Sequence, residues 1–204
     1  MRLAFICFSR SLGGLELAHI RLAKELQQRG HLTIIIAPEE SPLIERSRQL
    51  SIPSEIITPK LRYCDFFAAI KLASFLRKHN IQITTIAQSR DINVAVLASY
   101  LIPYVKLVFF QQMQSGVDKR DFLHRWMYGR LSHWITLTRK MCVEVLQRTT
   151  MQEVKVSVIP LGSDLSKFNY KDYNKKKARA VFNLPQKRFI VTEVARLEDR
   201  KSVV

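Results

Sequence analysis

The chain has 204 residues, 47% of them hydrophobic and 25% charged, enough apolar material for a real core and far from the composition of a disordered or collagen-like polymer. Lys and Arg number 33 against 17 Asp and Glu, a formal net charge of +16 that favours anionic partners: nucleic acid, anionic lipid or a phosphorylated substrate. No run reaches the roughly 18 apolar residues that a bilayer-spanning helix needs, and Cys7, Cys64 and Cys142 form no C-x-x-C pair, which argues against a zinc site and a disulfide framework.

Met1–Ser9 reads as a buried strand, because Leu3–Phe8 is apolar without alternation, the pattern of a strand covered on both faces. The apolar run is too short for a signal sequence, so the expected location is cytoplasmic, with the inner face of the membrane as a peripheral station. Ser9–Gly14 is a short loop ending in Gly13-Gly14. A helix follows with Leu15, Ala18, Leu22 and Leu26 on one face, closed by Gly30. Such a corner suits an anion, since the first helical turn has unpaired N–H groups and a partial positive charge, and glycines let a phosphate approach the backbone. A tight turn without a ligand explains the same residues, and the spacing is not the G-x-G-x-x-G dinucleotide fingerprint.

Leu32–Ala37 is the second strand. Ser41-Pro42 caps and opens a short helix, and Ile56-Ile57 is a third strand. Asp65 caps a helix to His79, with Phe66, Ile70, Ala73 and Leu76 expected on its inner stripe and Asn80 ending it. Ile81–Ala87, Val105–Phe110, Trp134–Leu137 and Lys155–Ile159 read as further strands. Between them lie helices over Ile92–Leu101, over Asp118–Ser132 and from the Thr138 cap to about Gln147. Strands alternating with helices at this spacing imply an α/β fold, a Rossmann-like parallel sheet with helices on both faces. The polar loop starting at Gln111 then lies at the carboxyl end of the sheet, where open α/β folds bind ligands.

At Pro160 the composition changes. Pro160–Asp164 is turn-rich, Lys175-Lys176-Lys177 follows, and Phe189–Val194 reads as one more strand. The expected division is residues 1–165 as one Rossmann-like domain and residues 166–204 as an interdomain segment plus the start of a second α/β domain, cut off soon after it begins.

Three separated pieces carry a family resemblance: Gly13-Gly14-Leu15-Glu16 with the helix ending at Arg29-Gly30-His31; Val158–Asp164 followed by Phe168; and Val194–Lys201. In their order and spacing the chain resembles the N-terminal domain of the retaining GT-B glycosyltransferases related to glycogen and sucrose synthases, the group 1 family. The resemblance implies two Rossmann-like domains facing a cleft, the first mainly holding the acceptor and the second a nucleotide-sugar donor, UDP- or GDP-linked. It implies sugar transfer to an acceptor hydroxyl with retention, no cofactor and no metal. Electrostatic stabilisation of the departing diphosphate then falls to cations and backbone N–H groups.

Carried over by residue, Gly13, Gly14, Arg196 and Lys201 match the family's donor-diphosphate contacts, while Glu16, Gln111 and Gln112 fall at the acceptor and sugar cleft. Glu16 is equally a helix-first-turn carboxylate; Arg196 and Lys201 also read as two more surface cations among 33, but Arg196 directly follows an apolar stretch, which favours the functional role. The family often has a histidine where this chain has Gln111–Gln114, and a glycine where it has Ser202; its paired glutamates would lie beyond Val204, so the catalytic residues are unknown. His31 reads as structural and His124 as a partly buried surface residue. Polysaccharide or glycolipid synthesis is the implied setting. The charge leaves a basic module for nucleic acid or anionic membrane as the alternative, although no RNA-recognition, helix-turn-helix or zinc signature is present. A dehydrogenase or sugar-nucleotide epimerase is a third reading, with Glu39 and Glu40 near the end of the second strand but the wrong glycine spacing.

Overall fold

A computed structural model describes residues 1–61, 64–114, 116–162, 165 and 174–192. Its strands and helices alternate as the sequence implies: β1 (Arg2–Ile6), α1 (Gly14–Gln28), β2 (Leu32–Ala37), α2 (Pro42–Gln49), β3 (Ser54–Ile56), α3 (Phe66–Lys78), β4 (Ile83–Ile86), α4 (Ile92–Leu101), β5 (Lys106–Gln111), α5 (Phe122–Gly129), β6 (His133–Thr136), α6 (Arg139–Arg148), β7 (Val156–Val158) and α7 (Lys175–Val181). The first thirteen belong to a compact unit, Met1–Leu161; α7 lies in the second, Gly162–Val204.

The seven strands form one parallel sheet in the order β3-β2-β1-β4-β5-β6-β7. Because strand side chains alternate, β1 and β2 serve two cores. Leu3, Phe5, Cys7, Ile35 and Ala37 pack with Ile20 and Ala23 of α1 and with Leu43 and Ile44 of α2. Ala4, Ile6, Ile34 and Ile36 face the opposite way, onto the core that α3, α4 and α5 cover. Right-handed crossovers explain the split: the chain winds toward β3 first, then returns past β1 and winds toward β7, which puts its later helices on the other face.

Local signals end the helices where the sequence implies. The Ser41 hydroxyl accepts from the Leu43 N–H, the Asp65 carboxylate from Ala68 and the Thr138 hydroxyl from Met141. Gly30 and Asn80 follow α1 and α3 with φ of 82° and 51°, the left-handed conformation that halts a helix.

Three expectations are corrected. On α3 the inner face is Ala68, Ala69, Leu72, Ala73 and Leu76, while Phe66 and Ile70 point outward, 59% and 57% exposed. The reason is the neighbour: α4 packs against α3 and brings small side chains such as Ala95 and Ala98 to the same core, and alanines allow that close approach where Phe66 would not fit. Second, the helix expected from Asp118 is α5 and begins only at Phe122. Asp121 is extended and caps it through the His124 N–H, while Gly116 and Lys119 donate their N–H groups to the Glu144 carboxylate and the Arg148 carbonyl of α6. Third, residues 189–192 pair with no strand, and Phe189 and Val191 are exposed; a strand needs a hydrogen-bonded neighbour, which no described residue supplies. The rest of that expected strand, Glu193 and Val194, lies outside the described residues.

Candidate functional site

The order β2-β1-β4-β5 makes β1 and β4 the point where the chain reverses its winding. The turns leaving these two strands part to opposite faces of the sheet, opening a crevice at its carboxyl end. The first turn runs from Cys7 to Gly13. Cys7 N–H continues the ladder to Ile36, and Phe8 N–H donates to Asp91 Oδ2 at 2.9 Å. The Ser9 and Ser11 hydroxyls lie 2.9 Å apart and Ser11 N–H donates to Ser9 Oγ, folding the loop on itself.

Gly13 is the extended residue that caps α1, and its N–H donates to Glu16 Oε2 at 2.8 Å, the carboxylate arm of a capping box. Glu16 is buried and also takes the Ser11 hydroxyl at 3.4 Å and Gln88 Nε2 at 3.5 Å. Burial pushes its carboxyl up, but hydrogen bonds from Ser9, from the N–H groups of Glu16 and Gly13 and from Ser11 outweigh burial and hold it below the usual carboxylate range. Glu16 thus organises the glycine turn from beneath. The N–H groups of Gly14 and Leu15 point along the axis out of the helix N-terminus. A Cβ on Gly14 would meet nothing within 4 Å, so the space beside the first residue of the helix is open.

The two glutamines of the β5–α5 loop part ways. Gln112 Nε2 donates to the Leu15 carbonyl at 3.3 Å, which brings it to the glycine turn. Gln111 is buried: its Oε1 accepts from Trp134 Nε1 at 2.9 Å and its Nε2 donates to the Met113 carbonyl, so its amide is satisfied within the fold. Arg196 and Lys201 lie outside the described residues, as do Ser163, Asp164, Phe168 and Ser202.

Four residues of this corner escaped the sequence reading of the site. From the β4 turn, Gln88 bridges Glu16 and the exposed Arg90, whose guanidinium also lies 3.8 Å from Asp91 Oδ1. Asp91 is buried, and burial raises its carboxyl to about 7 against the lowering effect of the Phe8 N–H and Arg90; Glu16 adds to the rise. His19, one turn after Glu16, is wholly buried edge-on against Phe5 at 5.1 Å, and burial depresses it to about 4 although Glu16 pulls the other way. The Gln88–Asp91 loop was legible as polar, but its place beside β1 is a property of strand order. His19 carried no signal beyond lying three residues after Glu16.

The corner therefore offers two backbone donors, a cation on Arg90 and an amide on Gln112. The Cys7 thiol there is not activated, since burial, followed by Asp91, drives it up to about 12. Among the described residues no group of His, Cys, Asp and Glu is arranged to hold a metal ion. A concavity beside α2 is lined by Glu39, Glu40 and Glu45 together with Arg48, and Arg48 pairs with Glu45 and Arg10 with Glu40.

The architecture is similar to that of the glycosyltransferase from Rickettsia africae ESF-5, at 18% identity and a TM-score of 0.74 over 90% of this chain and 50% of that one. It is similar also to Anabaena Alr3699/HepE, solved in complex with UDP and glucose, at 18% identity and 0.65 over the same shares. The UDP-GlcNAc 2-epimerase from Neisseria meningitidis, bound to UDP-GlcNAc, matches at 11% identity and 0.57 over 78% of this chain and 46% of that one. No curated protein matches the chain in sequence. The chain spans about half the length of the solved structures it resembles.

A seven-stranded parallel sheet with helices on both faces and a glycine turn at its switch point is one Rossmann-like half of the GT-B architecture. Transferase and epimerase share that fold, so the fold does not choose between them. In sequence, residues 12–167 match the model of Glycosyltransferase Family 4, and the chain belongs to that family.

Proposed function

We propose that residues 1–165 are the acceptor-side domain of a retaining, metal-independent glycosyltransferase of the group 1 type, and that residues 166–204 lead into its donor domain. The enzyme moves a hexosyl group from a UDP- or GDP-sugar to an acceptor hydroxyl, in the synthesis of a cell-surface polysaccharide or glycolipid. The observation that carries this reading is the helix N-terminus at the switch point, where the N–H groups of Gly14 and Leu15 point out of the helix and a Cβ on Gly14 would meet no atom within 4 Å. The neighbour solved with UDP and glucose supports a nucleotide-sugar donor.

In this reading the α1 N-terminus takes negative charge from the leaving diphosphate, and Arg196 and Lys201 supply the cations, which a metal-free mechanism requires. Gln112 holds the sugar side of the cleft, and Glu16 keeps the turn in shape. The test is sugar transfer by the longest product of the gene. Transfer from UDP-glucose or a GDP-sugar that survives EDTA, with the anomeric configuration kept in the product, is the expected result. An inverted product, or activity abolished by EDTA and restored by a divalent cation, overturns the retaining and metal-free parts respectively.

A further inference from the structure

Arg90 is held at one end of its guanidinium and free at the other. It stands in the turn that leaves β4, and its side chain is 59% exposed. Its Nε donates to Gln88 Oε1 and lies 3.8 Å from Asp91 Oδ1. The two Nη groups, which form the fork of the guanidinium, have no partner among the described residues. Behind Arg90 runs a chain of contacts. Gln88 Nε2 donates to Glu16 Oε1, and Glu16 Oε2 takes the Gly13 N–H. Chemistry at its two ends fixes the amide: the carboxylate requires the NH2 group and the guanidinium requires the oxygen. The carboxylate that shapes the glycine turn therefore also sets, through Gln88, where the Arg90 fork stands.

An arginine kept only for solubility needs no such anchor, since holding a long side chain costs conformational freedom. An arginine kept for an ion pair would use its fork, the bidentate geometry that suits a carboxylate. Neither nearby carboxylate meets the fork. Glu16 is occupied by Gly13, Ser11 and Gln88, and Asp91 takes the Phe8 N–H and approaches Arg90 only at Nε. Asp91 also neutralises Arg90 only in part, because burial raises its carboxyl to about 7 and much of it is uncharged near neutral pH. What remains is an oriented, exposed fork linked by two side chains to a helix N-terminus that favours negative charge. Paired oxygens of a phosphate match that fork.

We propose that Arg90 binds a phosphate group of the substrate through its free Nη groups, with Gln88 as the residue that positions it. The substrate is that of the transferase reading, so the phosphate belongs either to the donor diphosphate or to the acceptor; the anion site itself is tested without sugar transfer. Sulfate is the probe, added to the 204-residue chain at constant ionic strength and followed on the backbone N–H signals of residues 88–91. Arg90→Gln should weaken binding by about tenfold or more. Arg90→Lys keeps the charge, loses the fork and should weaken it by about fivefold. Gln88→Met leaves Arg90 in place without its anchor and should weaken it by about threefold. Arg21→Gln, the same loss of charge on the exposed middle of α1, should bind like the unaltered chain. No sulfate binding, an Arg90→Lys chain that binds as well as the unaltered one, or equal losses in Arg21→Gln and Arg90→Gln overturns the proposal, and an unaffected Gln88→Met overturns the positioning role. UDP added to the longest product of the gene with sulfate bound identifies the source. UDP that displaces sulfate and binds more weakly to Arg90→Gln makes the phosphate the donor's; UDP that binds beside the sulfate makes it the acceptor's. A gene product that binds sulfate at Arg90 but no UDP or GDP counts against the transferase reading and leaves the anion site standing.

Discussion

Substituting Gly14 by alanine separates a glycine kept for a ligand from one kept for the fold. The added methyl meets no atom within 4 Å, and Gly14 is not among the residues with positive φ, so neither a clash nor backbone strain opposes it. Gly14 is the first residue of α1, and alanine lowers the conformational entropy of the unfolded chain. The expected gain is about 0.5 kcal/mol, the low end for a Gly-to-Ala change at a compatible site. For a domain of this size that is a rise of roughly 1–2 °C in melting temperature. A phosphate resting on the N–H groups of Gly14 and Leu15 would lose close approach to them. Charge-assisted hydrogen bonds contribute about 1.5–3 kcal/mol each, so weakening one raises the donor KM by about tenfold or more. Thermal unfolding of the 204-residue chain and donor kinetics of the longer gene product measure the two effects. Stability held or raised together with impaired donor use supports the anion site. Unchanged donor kinetics would refute it and leave Gly13-Gly14 as a turn without a ligand.

Other expectations follow from the same corner and from α3. Glu16→Gln keeps the shape but weakens the charged arm of the cap, and should lower stability by about 1 kcal/mol at neutral pH. Because the folded Glu16 carboxyl is held below its ordinary value, that difference should fade as acid protonates it. Asp91 and His19 act oppositely on acid stability. The folded Asp91 carboxyl is raised from 3.8 to about 7, so its contribution to stability is present below 3.8 and lost as the pH climbs through 7. His19 is depressed from 6.5 to about 4, so its contribution is present above 6.5 and lost as the pH falls through 4. Between those limits the two offset each other, and Asp91→Asn should stabilise the chain at pH 8 yet make its melting temperature fall more steeply from pH 6.5 to 4; a parallel pH profile would refute the assignment. Ala69→Leu forces a larger group between α3 and α4 and should cost about 1–3 kcal/mol in urea unfolding, whereas an equally stable variant would contradict close alanine packing.

What the sequence determined by itself is the local and periodic part. Apolar runs without alternation marked strands covered on both faces, and β1, β2 and β5 lie in such a sheet. Ser41, Asp65 and Thr138 cap helices because a side-chain oxygen needs only the N–H groups two or three residues away, a distance that sequence specifies. The glycine turn at the start of α1 was legible for the same reason.

Tertiary structure decided which distant residues meet. Parallel β4 pairs with β1 rather than with β3, and that order alone brings Gln88, Arg90 and Asp91 to Glu16 and Phe8. Gln111 and Gln112 are adjacent and chemically identical, yet one satisfies Trp134 inside the core and the other reaches α1, because successive residues leaving a strand turn to opposite sides. The outward turn of Phe66 and Ile70 depended on the small side chains of α4, which lie more than twenty residues further along the chain. Hydrophobicity tells that a residue can be buried; only the shape of the neighbour tells whether there is room, and the neighbour is chosen by the fold.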